Sequence, residues 1–201
     1  MAAGFLQGFL LGGGLIIAIG AQNALILRQG LLREHVFVLC LIAALSDALL
    51  LTLAIIGVTA LVVAVPALQT ILLLGGGLFL FAYGALALKR AISPDVLDAS
   101  SGGGQSLRSL LLTLLAFTYL NPHVYLDMVI VAGIAGQFEM APRIYFALGV
   151  ICASFVWFFS LGYGARLLAP PFRKPSAWRV LDCLIAFIMF ALAISLLSKL
   201  L

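Results

Sequence analysis

Two aspartates stand inside apolar runs: Asp47 in "ALSDALLL" and Asp127 in "LNPHVYLD", in a chain with only seven acids. A carboxylate in hydrocarbon costs about 2.5–3.5 kcal/mol on insertion scales, so such a residue marks a functional site by default. A pair of them can hold a cationic group, exchange protons, or do both in alternation. The structural alternative places either acid at an interface or pairs it with an arginine, Arg28 or Arg143.

Asp127 follows a second chemical feature, Asn121-Pro122. Pro122 lacks a backbone N–H and disfavours helical geometry at the residue before it. Asn121 then caps a new half-helix with proline at its first position. A helix N-terminus deep in an apolar run offers N–H groups and partial positive charge, which suits an anion such as a carboxylate. His123 reads either as a ligand or proton relay or as a packed interface histidine. Tyr125 reads as a ligand contact or as an interface aromatic. The first half carries a comparable polar interruption, "IGAQNALI", in which Gly20 marks the break. Gln22 and Asn23 line it or satisfy its backbone.

Only lipid can be the solvent of the elements that hold these residues. The chain is 65% hydrophobic and 9% charged, with mean hydropathy +1.26, against about half and a quarter for soluble domains. The apolar N-terminal run has no basic residue before it, which predicts a retained segment rather than a cleaved signal. Six candidate spans follow from length: Phe5–Leu27, Val36–Leu61, Ala67–Leu88, Leu110–Ile134, Ile144–Leu168 and Trp178–Ser198. The predicted fold is therefore an all-α integral membrane protein.

Residues 1–88 and 109–201 form two three-span halves, joined by a Ser/Gly-rich linker over 89–108. Each half opens with a broken segment, continues with a serine-bearing span, "ALSDALLL" or "ICASFVWF", and closes with a third. Three spans per half is an odd number, so a tandem repeat enters the membrane in opposite orientations, and broken first helices point to a binding site. Nine Lys and Arg lie in the first, third and fifth connections, whereas only Arg143 and Lys199 lie opposite. The basic loops are predicted to be cytoplasmic and the C-terminus outside. The N-terminus is outside with six spans, or inside if the first segment is re-entrant. The basic run "PPFRKPSAWR" is explained by topology and requires no nucleic acid.

The glycines of "LLGGGLII" and "LLGGGLFL" suit close helix approach; no Lys-Ser/Thr follows them, which disfavours phosphate binding. Cys40, Cys152 and Cys183 stand alone and are expected to be buried small hydrophobes, with no metal site or cofactor. An intramembrane protease would have to rely on His123 and Ser154, because His35 falls in a loop.

"IGAQNALILRQGLLRE", "ALSDALLL", "LNPHVYLD" and "ALGVICASFVWFF", in this order, resemble the LysE-type lysine/arginine exporter family across nearly the whole chain. The resemblance implies a transporter of the bacterial inner membrane, not an enzyme, that exports L-lysine or L-arginine with protons as the coupling ion. It places Gln22, Asn23, Asp47, Asn121 and Asp127 at matching positions. The family carries proline where this chain has Ala21, so a less sharply broken first helix is expected. A basic amino acid offers a carboxylate for a helix end and a cation for an aspartate. A neutral amino-acid exporter, a channel and a membrane enzyme remain the competing classes, and the oligomeric state, homodimer included, is left open.

Overall fold

The computed structural model describes residues 2–17, 20–55, 65–92, 105–168, 170, 172 and 174–200. The end of the second expected span and most of the linker lie outside these residues. Eight α-helices are described: α1 Ala2–Ile16, α2 Ala21–Leu32, α3 Val36–Ile55, α4 Pro66–Ile92, α5 Leu107–Tyr119, α6 Pro122–Ala135, α7 Met140–Gly164 and α8 Pro175–Leu197. No strand occurs among the described residues.

Four of these helices are long and apolar enough to cross a membrane, and six spans result if each bent pair counts as one. The bent pairs are α1–α2, which meet at 83°, and α5–α6, which meet at 56°. Both fall at the breaks read from the sequence. The helix without proline is the more sharply bent, against expectation, and a side chain accounts for it. Asn23 Nδ2 donates to the Ile16 carbonyl at 2.8 Å, so a terminal carbonyl of α1 is satisfied without α1 continuing into α2. Gly20 precedes α2 in an extended conformation, φ −108° and ψ 179°.

Helix ends explain the short connections. Arg33 closes α2 in the left-handed region at φ 61°, its N–H reaching the Gln29 and Gly30 carbonyls, and His35 follows at φ 53°. Two left-handed residues in three turn the chain directly into α3. At the opposite end of the molecule Arg143 fastens the α6–α7 corner. Its Nε donates to the Ala135 carbonyl at 3.0 Å and its Nη2 to that of Phe138 at 3.0 Å. Arg143 therefore satisfies the carbonyls that end α6 and does not pair with Asp47 or Asp127.

Packing exchanges partners between the halves. The opening helix α1 lies along α7 of the second half, while α5 and α6 lie against α3 of the first. The closing helices α4 and α8 run along each other. The α1–α7 contact rests on Gly4, Gly8 and Gly12, four residues apart on one face and all buried. A Cβ on Gly8 would collide with the Phe146 carbonyl, and one on Gly12 would stand 2.9 Å from Val150 Cγ1. Around Gly13 and Gly14 nothing lies within 4 Å, so of the "GGG" run only Gly12 performs the packing role.

Two apolar cores result. One joins Leu25, Cys40, Leu80, Phe117, Phe158, Leu181, Ile185 and Met189, and the other Leu50, Leu51, Met128, Val131, Phe146 and Val150. Cys40 is buried as expected, but Cys152 and Cys183 are exposed. Cys152 lies two residues from the buried Ser154, nearly opposite it on the helix. Cys183 belongs to an outward apolar face with Val180, Leu184 and Phe187, which are 68%, 50% and 71% exposed. That face is suited to lipid tails.

Gly8→Ala is expected to destabilise the protein by about 1–3 kcal/mol through overpacking, whereas Gly13→Ala leaves it unchanged or slightly more stable. Thermal unfolding of both variants in detergent checks the pair. Equal effects would show that the α1–α7 approach is not set by this face.

Candidate functional site

A cavity of about 230 Å³ lies where the two cores meet, with Phe117 and Phe158 from one and Met128, Val131 and Val150 from the other in its wall. Its polar lining comes from both breaks and from α3: Gly20, Gln22, Asn23, Asp47, Asn121, His123 and Asp127. The structure thus brings together seven of the nine residues read as site candidates. The remaining two, Pro122 and Tyr125, face a second cavity of about 190 Å³ with Gln69, Leu72 and Lys199. Geometry separates them: on α6, Tyr125 and Asp127 are two residues apart, and residues so spaced cannot share a helix face. Tyr125 instead donates to the Tyr119 carbonyl at 2.7 Å, tying down the end of α5.

The two helix starts at the cavity differ in what they leave over. At α6, the N-cap Asn121 has φ −92° and ψ 109°, and its Oδ1 accepts from His123 N at 3.1 Å. Pro122 has no N–H, and Val124 N donates to the Asn121 carbonyl at 3.2 Å. The capping predicted for "NP" is present, and it consumes the donors that an anion would need. At α2 the N-cap is Gly20, which has no side chain to cap the first turn. All four residues from Gly20 to Asn23 line the cavity. Gln22 adds a side-chain donor: its Oε1 accepts from Thr118 Oγ1 at 3.2 Å, while its Nε2 is buried with no partner among the described residues. Of the two helix starts, the first break is thus the one without a side-chain cap and with a spare side-chain donor.

The acids are placed by different supports. Asp47 is 8% exposed, and its Oδ2 accepts from Ser154 Oγ at 2.8 Å. This bond joins the two serine-bearing spans whose sequences echo each other. Asp127 is half-buried and lies one turn beyond His123 on the same face of α6. His123 Nε2 lies 3.3 Å from Lys199 Nζ. Trp157 Nε1 donates to Asn23 Oδ1 at 3.2 Å, so Asn23 joins α1, α2 and α7. No group of three or more His, Cys, Asp or Glu side chains suited to a metal occurs among the described residues.

One buried acid escapes the sequence reading. Asp182, in "VLDCLIAF" of α8, is 0% exposed. Arg28 Nη1 and Arg90 Nε both donate to its Oδ1, the latter at 3.2 Å. Arg28 therefore has a carboxylate partner, but not Asp47 or Asp127. An aspartate inside the last apolar span carries the same insertion cost as Asp47 and Asp127, and that cost is the signal that marks it in the sequence.

Paired broken helices and a polar cavity between two apolar cores define a multi-pass membrane transport protein. The chain belongs to the LysE type translocator family, which it matches over residues 14–200. It is similar to the arginine exporter proteins ArgO of Salmonella enteritidis PT4, Salmonella gallinarum and Salmonella typhimurium. Each is 41% identical over 198 residues, covering 98% of this chain and 94% of the relative. No solved structure matches.

Asn23→Ala removes a donor to Ile16 and an acceptor for Trp157. Each interhelical hydrogen bond in a membrane contributes about 0.6 kcal/mol, with a maximum near 1.7. The variant is expected to unfold at lower temperature than Ser154→Ala, which removes one bond. The reverse order in detergent melts would show that the first break is held by something other than Asn23.

Proposed function

We propose that this protein exports basic L-amino acids, arginine or lysine, across the bacterial inner membrane by proton-coupled alternating access. The observation that carries this reading is the convergence on one cavity of a donor-rich helix start and two aspartates. An amino acid with a cationic side chain carries a matching set of groups. Its carboxylate accepts from the start of α2 and from Gln22 Nε2, and its cationic groups face Asp47 and Asp127. The volume, about 230 Å³, is below the roughly 300–1,000 Å³ of sites for drug-sized ligands, which suits a single amino acid. The names of the relatives, arginine exporter protein, agree with this substrate class.

The halves 1–88 and 109–201 act as inverted repeats on either side of the 89–108 linker. The exchanged packing, with each opening segment against the other half's second long helix, is the arrangement a two-fold axis in the membrane plane produces. Nine of eleven Lys and Arg lie in the first, third and fifth connections or in the helix ends that flank them, so these connections lie in the cytoplasm and the C-terminus outside. Substrate enters from the basic side, and rocking of one half against the other opens the cavity outward. Proton binding at an aspartate, with His123 near the path, then favours release and return.

Proteoliposomes loaded with labelled arginine or lysine are expected to exchange with basic but not neutral amino acids and to respond to a pH gradient. Asp47→Asn and Asp127→Asn are each expected to reduce exchange about 30-fold or more, matching the roughly 2 kcal/mol lost when one member of a buried charge pair is removed. Exchange of neutral amino acids would reassign the substrate class. Unchanged transport and pH response in the doubly neutralised protein would refute the role of the aspartates.

A further inference from the structure

The Arg28–Asp182–Arg90 cluster lies off the cavity, toward one end of the molecule. Arg28 is five residues beyond the cavity residue Asn23 on α2, in the direction of Arg33. Asp182 is ten residues before the cavity residue Leu192 on α8, in the direction of Pro175. Arg90 is in the last turn of α4. All three displacements point to the end that carries the α2–α3, α4–α5 and α7–α8 connections, where the basic residues concentrate.

A chain of contacts links the cavity wall to the cluster. Phe117 lines the cavity and packs edge-on against Tyr83 at 4.9 Å between centroids. The Arg90 guanidinium lies 5.6 Å over the Tyr83 ring, and that of Arg28 lies 5.6 Å over Trp178. The contacts thus run in the order Phe117, Tyr83, Arg90, Asp182, Arg28, Trp178. Arg28 comes from the first half, Arg90 from the end of α4 where the linker begins, and Asp182 from the second half, so the contact spans the boundary across which the halves must move.

We propose that this cluster is the gate that closes the cavity from the basic face, and that Asp182 is the positioning residue that holds it shut. The proposal rests on the alternating-access reading above. The bonding is that of a latch rather than of a permanent staple. Both arginines converge on Oδ1, while Asp182 Oδ2 and Arg90 Nη2 are buried with no partner among the described residues. A fully bonded bidentate pair would be harder to open than this half-satisfied one. One carboxylate between two guanidinium groups also leaves net positive charge across the path, which opposes passage of a cation while the gate is shut.

The test is accessibility of the cavity from each face. Leu192→Cys is the reporter, in protein otherwise freed of thiols by Cys40→Ala, Cys152→Ala and Cys183→Ala, and it is reacted in vesicles with a membrane-impermeant thiosulfonate. A separate Lys89→Cys protein identifies the basic face. With the cluster intact, labelling from the basic face is expected to be about tenfold slower than from the other. Arg90→Gln leaves Arg28 and Asp182 as a neutral pair and is expected to raise basic-face labelling about fivefold or more. Equal rates from both faces with the cluster intact would overturn the gate, as would an unchanged rate in folded Arg90→Gln protein. If Arg90→Gln does not fold, the two-face comparison decides alone. Labelling does not depend on substrate identity, so asymmetric labelling without exchange of basic amino acids would retain the gate and reject the substrate assignment.

Discussion

Backbone polar groups in an apolar solvent have to find partners within the protein, and this constraint shapes the molecule at each place where a helix stops. Asn23 takes up the Ile16 carbonyl at one break, and Asn121 caps His123 N at the other. Arg143 collects the carbonyls that end α6. Interruptions are affordable only where such side chains can reach, which means inside the protein. Both internal breaks consequently face a cavity rather than lipid.

The same accounting gives the cavity its polarity. Where a cap is complete, as at α6, the helix end is chemically closed. Where the cap is a glycine, as at α2, no side chain closes the first turn, and the Gln22 Nε2 donor is left over. Asp47 adds negative charge held by a serine from the other half, and Asp127 adds a second from the closed helix start. The two apolar cores act as walls around this polar interior, and the close glycine-mediated approach of α1 to α7 sets the position of one of those walls.

Much of this was legible in the residues. Charge scarcity gave the solvent, apolar length gave the spans, and "QN" and "NP" gave both breaks. Most of the cavity lining followed from polar residues in apolar runs. What was not legible depended on direction around a helix. Tyr125 and Asp127 look like neighbours in sequence but point apart, and Cys152 turns to the outside because Ser154 turns in. In the second "GGG" run Gly76 and Gly77 do pack closely, but in the first only Gly12 does, as part of the spaced set Gly4, Gly8 and Gly12. The sharper bend at the proline-free break required Asn23, whose partner lies seven residues back and across a turn. Asp182 was visible all along as an acid in an apolar span, but its two arginines come from positions 154 and 92 residues away.

The two breaks, alike in outline, differ in permanence. At Asn121-Pro122 the interruption is written into covalent structure, because a proline nitrogen has no hydrogen to give in any conformation. At Gly20–Asn23 it is maintained by side-chain bonds that one asparagine makes to α1 and α7. One joint is welded and the other is only pinned. The two joints therefore have unequal mechanical freedom, and the freer one is the glycine-capped helix start that lines the cavity.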